Sequence, residues 1–118
     1  MSNEICLVFS ASVRPENWSA FESLVAKVVE ATSREVGALG YQYSVNADHS
    51  IVHIVERYRD SNAFLFHTEK TFSGFAKEFL ELANLGELTV HGSPSAECRL
   101  ILDQFDAVYL DVFAGFSR

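Results

Sequence analysis

Cysteines and basic residues are scarce in this sequence of 118 residues. The two cysteines, Cys6 and Cys98, form no CxxC pair, so we expect two reduced, buried thiols rather than a disulfide framework or a thiolate metal site. Lysine and arginine total 9 against 16 aspartates and glutamates, and the cations are scattered. Because nucleic acids and anionic membranes are bound by clustered cations, we expect neither as a partner.

Leaders, linkers and catalytic signature motifs are missing as well. Residues 1–4 contain no basic segment, no apolar run is long enough to span a bilayer, and only 2 prolines and 6 glycines are present. No His-x-His or Cys–His spacing, Gly-rich phosphate loop or nucleophile elbow occurs, which argues against a metal site and against those enzyme classes. We therefore expect one ordered cytoplasmic domain spanning residues 1–118.

Apolar residues make up 48% of the chain and are spaced as in five β-strands. Turn-forming residues 46–50 separate the second strand from the third and predict a hairpin. The predicted strands are Ile5–Phe9, Tyr41–Val45, Ile51–Tyr58, Leu88–His91 and Val108–Phe113.

Three helices are predicted between these strands. The first opens at Pro15 and ends near Gly37, and the second is capped by Asp60, bends or divides at residues 73–74 and ends at Gly86. The third starts at residues 93–94 and runs to about Gln104. The order βαββαβ followed by a helix and a strand predicts an α+β fold of ferredoxin-like type with an antiparallel sheet.

Both faces of the predicted sheet carry apolar residues. Val8 points away from Leu7, and Val55 points away from Ile54, because successive side chains of a strand alternate. Helices on one face leave the other in water, and burying apolar surface contributes roughly 25 cal/mol per Å². We therefore expect a homodimer formed through the sheet face. The alternative is a monomer whose last helix crosses to that face.

The third strand and the following helix resemble the antibiotic biosynthesis monooxygenase (ABM) superfamily. Residues 56–63 together with His67 are similar to the family pattern Glu-x-Tyr-x-Asp-x-x-Ala-x-x-x-His. The C-terminal residues 90–95 and 114–118 resemble one branch of quinol monooxygenases. The resemblance covers nearly the whole chain and implies a dimeric α/β-barrel of two ferredoxin-like subunits. Some relatives oxidise phenols or quinols with molecular oxygen, without flavin or metal, so no cofactor is expected.

A haem-degrading branch of the superfamily is a poorer match. In that branch a tryptophan, a histidine and an asparagine typically surround the porphyrin. Here Phe66 stands near the expected position of the tryptophan, and the first strand offers residues 9–10, Phe-Ser, in place of the asparagine. The resemblance therefore does not imply haem degradation.

His67, Tyr58 and Glu56 are the candidate catalytic residues. His67 shares a helical face with Ala63, so its imidazole should point inward and serve as a base that deprotonates a phenol. Tyr58 and Glu56 lie on one side of their strand and could orient the substrate or anchor His67. The alternatives are that His67 is an ordinary core residue and that Glu56 pairs with a neighbouring arginine, Arg57 or Arg59.

An aromatic helix face and one strand carboxylate are the candidate ligand-binding groups. The aromatic residues could wall an apolar cavity, although plain core packing is the alternative for each of them. Asp111 interrupts an apolar strand and could serve either the pocket or the dimer interface. The candidate ligand-binding residues are Trp18, Phe21, Phe64, Phe75, Phe79 and Asp111.

Three functions fit these observations. The first is a cofactor-independent monooxygenase acting on a small phenolic, quinol or polyketide-like compound, with His67 as base. The second is a non-catalytic protein that binds a small apolar or aromatic metabolite, such as a fatty acid, in the same cavity. The third is a structural dimer with an empty pocket, which predicts a well-filled core and no ligand under any condition.

Overall fold

The strand pattern of the sequence produces one five-stranded sheet in the computed structural model, which describes residues 3–118. The sheet order is β2-β3-β1-β4-β5, with β5 parallel to β4 and the other neighbours antiparallel. This is the ferredoxin-like order with one strand added at an edge, so the predicted fold is confirmed. The strands are β1 Ile5–Val13, β2 Ala38–Val45, β3 Val52–Tyr58, β4 Ala83–His91 and β5 Val108–Leu110.

Four α-helices and several shorter helical turns connect the strands. A 3₁₀ turn, Pro15–Asn17, leads into the first α-helix, and a π-helical turn, His67–Thr71, followed by a 3₁₀ turn, Phe72–Gly74, divides the second predicted helix into two. The predicted break at residues 73–74 is therefore confirmed. The α-helices are α1 Trp18–Thr32, α2 Ser61–Phe66, α3 Ala76–Leu82 and α4 Ala96–Leu102.

Three predicted helix ends are wrong. The helix α1 ends at Thr32 rather than near Gly37, because the Thr32 hydroxyl donates to the Val28 carbonyl oxygen and the chain then turns. Gly86 lies within β4 instead of ending a helix, and a Cβ there would sit 2.6 Å from the Ser10 hydroxyl oxygen. The helix α4 begins after Ser95, whose side chain caps it, not at residues 93–94. Each error extends or displaces a helix by a few residues without changing the element order.

The last strand is shorter than predicted. Strand β5 ends at Leu110, and Phe113, which the sequence predicts as its last residue, is 98% exposed. Asp111 therefore lies just outside the strand and is exposed, so the prediction that it is a buried strand carboxylate is wrong. Its carboxylate accepts a hydrogen bond from the Ser93 hydroxyl.

The core is divided into two clusters on the helical face of the sheet. One cluster lies under α2 and α4 and includes Leu7, Tyr58 and Leu88. The other lies under α1 and α3 and includes Phe21 and Ile54. Phe9, in the central strand, packs against both clusters. The space between the two clusters forms the candidate site.

The opposite face of the sheet carries none of the four α-helices. The last of them, α4, buries Leu102 in the same cluster as Leu7, so the alternative in which the last helix crosses the sheet is wrong. The centre of this open face is the Val8–Val55 pair of strands β1 and β3, and both side chains are half-buried. Half-buried Arg57 and exposed His53 interrupt the apolar surface, so the face is less apolar than predicted.

The two cysteines differ in burial. Cys98 is buried and free, as predicted, whereas Cys6 is free but only half-buried because it lies on the open face of the sheet. None of the helices formed by residues 3–118 is both long and apolar enough to cross a membrane.

Candidate functional site

An apolar cavity of about 430 Å³ lies between the two core clusters, above the sheet. The volume falls within the range of small-molecule sites. Aromatic and aliphatic side chains form most of the wall: Phe9, Ile54, Phe64, Phe72, Ala76, Phe79, Leu80, Leu85, Ile101, Leu102 and Phe105. The polar lining residues are Tyr41, Tyr43, Glu56, His67, Thr68, Ser73 and Gln104.

His67 reaches the cavity because of how helix α2 begins and ends. The Asp60 carboxylate accepts a hydrogen bond of 2.9 Å from the Ala63 backbone N–H and fixes the first turn. Ala63 and His67 are both buried, which confirms that they share the inward face. The π-helical turn starts at His67, and such turns re-aim a side chain relative to an α-helix.

The imidazole of His67 is held by Glu35, a residue in the loop after α1. Nδ1 of His67 lies 2.8 Å from Oε2 of Glu35, and both side chains are only 5% exposed. With Glu35 as the carboxylate, Nδ1 carries the proton and donates it, which leaves the lone pair of a neutral ring on Nε2. Nε2 has no hydrogen-bond partner within residues 3–118. His67 lines the cavity, and Nε2 is the basic nitrogen of its ring that the described residues leave unpaired there.

Gly37 allows this meeting of loop and helix. A Cβ at Gly37 would lie 2.5 Å from the Cβ of Ala63, so a larger residue would push the loop away from α2. The second carboxylate oxygen of Glu35 is buried and has no partner among the described residues. A buried carboxylate oxygen without a donor lowers stability, so this oxygen contributes nothing to holding the loop in place.

Glu56 and Tyr58 form a second buried pair beside His67. The Tyr58 hydroxyl donates to Oε1 of Glu56 at 2.6 Å, and the Tyr58 and His67 ring centres are 5.5 Å apart. Burial raises the pKa of Glu56 above its usual range, opposed by the charge of His67 and by the Tyr58 hydrogen bond. Glu56 is thereby biased towards its neutral acid form, next to the imidazole of His67.

The alternative pairing of Glu56 with an arginine is wrong. Arg57 points to the open face and binds Glu4 at 3.2 Å, while Arg59 lies 3.6 Å from Asp60. Glu56 points the other way because neighbouring residues of a strand face opposite sides.

Tyr41 and Tyr43 complete the polar end of the cavity. They stand two residues apart on β2, and their hydroxyl oxygens are 2.9 Å apart. The Tyr41 and His67 ring centres are 5.2 Å apart. Desolvation raises the pKa of both phenols, so both remain protonated at neutral pH.

The structure brings some of the predicted site residues together and not others. His67, Glu56, Phe64 and Phe79 line the cavity, and Tyr58 lies directly behind Glu56. The remaining candidates are outside the lining: Trp18, Phe21, Phe75 and Asp111. Trp18 stacks on His49 with ring centres 4.3 Å apart, and Phe21 packs behind Phe79 at 5.4 Å.

Besides the lining residues Thr68, Ser73 and Gln104, three polar residues around His67 are not predicted by the sequence. The sequence pattern places Glu35 at the end of the first helix, where a carboxylate is normally solvated. It places Tyr41 and Tyr43 in a strand without assigning them a role. The Tyr-x-Tyr alternation, which puts both phenols on one strand face, is the signal that could have identified them. No comparable signal distinguishes Glu35 from the other acidic residues of the chain.

Metal-ligating side chains do not cluster in the described part of the chain. No group of three or more histidine, cysteine, aspartate or glutamate residues within 3–118 could hold a metal ion. The site is thus defined by proton donors and acceptors at one end of an apolar cavity: two carboxyl groups, an imidazole and three phenols.

The fold and this site together are those of a ferredoxin-like domain with carboxyl, imidazole and phenol groups clustered between helices and sheet. The family model for antibiotic biosynthesis monooxygenase matches residues 4–74, more than half of the chain, so the chain belongs to that family. No curated protein matches it significantly.

Solved structures agree with the family assignment. MupZ from Pseudomonas fluorescens is similar over 100% of this chain and 91% of its own, with a TM-score of 0.88 and 25% identity. SnoaB, a cofactor-independent oxygenase from Streptomyces nogalater, is similar over 80% of this chain and 97% of its own, with a TM-score of 0.67 and 18% identity. Rv0793 from Mycobacterium tuberculosis matches 78% of this chain and 96% of its own, with a TM-score of 0.67 and 21% identity. The last two likenesses concern the fold alone.

Proposed function

We propose that this protein is a cofactor-independent monooxygenase that acts on a small phenolic or quinol compound. The observation that carries the proposal is the Glu35–His67 pair, which presents Nε2 of His67 to an apolar cavity of about 430 Å³. Membership of the monooxygenase family and the fold shared with an oxygenase that needs no cofactor support it.

Deprotonation of the substrate is the first step. Nε2 of His67 accepts the phenolic proton, and the carboxylate of Glu35 stabilises the imidazolium through Nδ1. The apolar wall strengthens this interaction because little water competes inside the cavity. The resulting phenolate is the electron donor for oxygen.

Oxygen insertion then follows with balanced atoms. The phenolate transfers electrons to O₂, one oxygen atom forms a bond to a ring carbon, and the O–O bond breaks. The second oxygen atom leaves as water with the ring hydrogen and the phenolic hydrogen, and the product is a quinone. In this proposal Glu56, held towards its acid form, donates a proton to the departing oxygen, and the ring hydrogen supplies the second proton of the water. The phenolic proton that His67 took then replaces the proton that Glu56 gave, so both groups return to their starting states.

A homodimer formed through the open sheet face belongs to the same proposal. The Val8–Val55 centre of that face is only half-buried in the single chain, and none of the four α-helices covers it. Pairing two such faces would bury it and complete an α/β-barrel.

Oxygen uptake with a panel of quinols and naphthols tests the proposal. The wild-type protein should consume oxygen with at least one compound, and His67→Gln should lower kcat by about 10²–10⁴-fold. Glu35→Gln should lower kcat with little change in KM, since it acts through the orientation of His67. Glu30→Gln, an exposed glutamate paired with Arg34, is the matched control and should have no effect.

The competing function is non-catalytic binding of an apolar metabolite in the same cavity. It would be supported if no compound of the panel promotes oxygen uptake while native mass spectrometry shows a co-purified lipid. Equal rates for wild type and His67→Gln would remove His67 from the mechanism.

A further inference from the structure

The Tyr41–Tyr43 couple has one hydroxyl proton that no described residue accepts. The two oxygens are 2.9 Å apart, and either hydroxyl can donate to the other. When one hydroxyl donates its proton to the other oxygen, the second hydroxyl still carries its own proton. That proton needs a different acceptor. Neither hydroxyl makes another hydrogen bond within residues 3–118. Both tyrosines are half-buried, and polar groups withdrawn from bulk water are normally hydrogen-bonded, so the spare proton lacks, among the described residues, the partner that such a group usually has.

The surroundings of the couple direct that proton towards a ligand. Both tyrosines line the cavity, and the cross-strand neighbour of Tyr43 is Ile54, which offers no acceptor. Glu56 is the cross-strand neighbour of Tyr41, yet its hydrogen bond comes from Tyr58 instead. A hydroxyl that already accepts or donates one bond is also a better partner for the next one, because hydrogen bonds in a chain polarise each other.

The apolar part of the cavity wall suits the hydrocarbon body of a bound molecule. Phe9, Leu85, Ile101 and Phe105 line the cavity, and the Phe9 and Phe105 rings meet edge-to-face at 5.6 Å. A molecule with an oxygen at one end and a hydrocarbon body would therefore place its oxygen among the tyrosines and its body against these rings.

We propose that the Tyr41–Tyr43 couple is a hydrogen-bond-donating subsite for an acceptor oxygen, carbonyl or anionic, on the ligand of this cavity. The inference deepens the proposed function, because a donor beside His67 would hold the oxygen on which negative charge develops. It assigns the ligand two features: an apolar body and an oxygen that accepts a hydrogen bond from the tyrosines.

Two test ligands without an acidic proton can report on this subsite independently of the proposed deprotonation by His67. 2-Acetylnaphthalene carries a carbonyl oxygen, 2-ethylnaphthalene has nearly the same shape without it, and neither can be deprotonated by His67. Dissociation constants are measured by displacement of a fluorescent apolar probe. The wild-type protein should bind the ketone about tenfold more tightly than the hydrocarbon, the size expected for a buried hydrogen bond.

The double variant Tyr41→Phe/Tyr43→Phe should bind the two ligands equally. Removing both partners of a buried hydrogen bond is less disruptive than removing one, so this variant should fold and retain the hydrocarbon affinity. Tyr109→Phe is the matched control, because Tyr109 faces the same side of the sheet but donates to Asp103 outside the cavity. The control should keep the tenfold preference, and the bound carbonyl stretch should shift to lower frequency in every protein except the double variant.

Two results would overturn the subsite. One is a preference for the ketone that survives in the double variant, and the other is the absence of any preference or of any binding in the wild type. Either result would leave oxygen uptake with phenols unaffected. Conversely, a tenfold preference without oxygen uptake would retain the subsite and remove the monooxygenase.

Discussion

Oε2 of Glu35 and Nδ1 of His67 are 2.8 Å apart although 32 residues separate them in the sequence. The contact joins the loop after α1 to the helical segment after β3. Of the contacts between basic and acidic side chains within residues 3–118, it is the only one in which both side chains are buried. The Glu35–His67 contact depends on a close approach between Gly37 and Ala63, and a substitution at Gly37 tests this dependence.

Gly37→Ala should lower the free energy of unfolding by about 1–3 kcal/mol, because the new Cβ would lie 2.5 Å from that of Ala63. Gly74→Ala is the control. A Cβ there meets nothing within 4 Å, so this variant should be neutral or slightly stabilising. Urea denaturation measures both. Equal stability of the two variants would show that the loop and α2 do not need their close contact.

Glu56→Gln should make the protein more stable at neutral pH. The pKa of Glu56 is raised in the folded state above its ordinary 4.5, mainly by burial. The folded chain therefore holds this proton more tightly than the unfolded chain, and the contribution is lost as the pH rises from about 4.5 through the folded pKa. Glutamine does not titrate, so the advantage of the variant should grow with pH, by roughly 1 kcal/mol for each pH unit between the unfolded and the folded pKa.

Denaturation curves of wild type and Glu56→Gln at pH 5 and pH 8 measure this difference. Glu78→Gln, a change at an exposed glutamate of α3, is the reference and should show no such trend. A wild-type protein that gains stability over Glu56→Gln as the pH rises would reverse the assigned direction of the pKa change.

Ala76→Phe should weaken binding of any apolar ligand by tenfold or more, because Ala76 lines the cavity and a benzyl group would occupy part of it. Ala96→Phe is the matched change. Both alanines are the first residue of a seven-residue helix, but Ala96 is exposed and lies outside the lining. Probe titrations compare the two, and equal affinities would place the ligand elsewhere.

Val55→Lys should convert a dimer into a monomer, since Val55 lies with Val8 at the centre of the open sheet face. Two lysines brought together there would add buried like charges to the interface. Val29→Lys, at a valine of α1 that is 36% exposed, should leave the dimer intact. Sedimentation at micromolar concentration measures the mass, and a monomeric wild type would exclude the proposed pairing.

The element order and the inward direction of His67 were predictable because they follow from local rules. Alternation placed the strands, and the Asp60 cap with the spacing of Ala63 and His67 set the buried helix face. Helix ends were harder. Gly86 has the pattern of a helix stop in the sequence, yet it serves a close approach to Ser10 across two strands, which only the tertiary structure reveals.

Part of the site was predictable, because local rules also apply to those site residues that lie close together in the sequence. Glu56, Tyr58 and His67 lie close together in the sequence, and a motif marks them. Glu35 meets His67 only through the packing of a loop on a helix, and no local pattern reports such a contact. Asp111 shows the opposite error, because a carboxylate in an apolar pattern predicts burial although the strand ends one residue before it.

Oxygen labelling tests the proposed monooxygenase most directly. The quinol or naphthol that gives the fastest oxygen uptake is converted under ¹⁸O₂ in ordinary water, and the product is analysed by mass spectrometry with rapid quenching to limit exchange. We predict one ¹⁸O atom in each product molecule and the other in water. A product with no ¹⁸O, or with its new oxygen taken from solvent, would contradict oxygen insertion in this cavity.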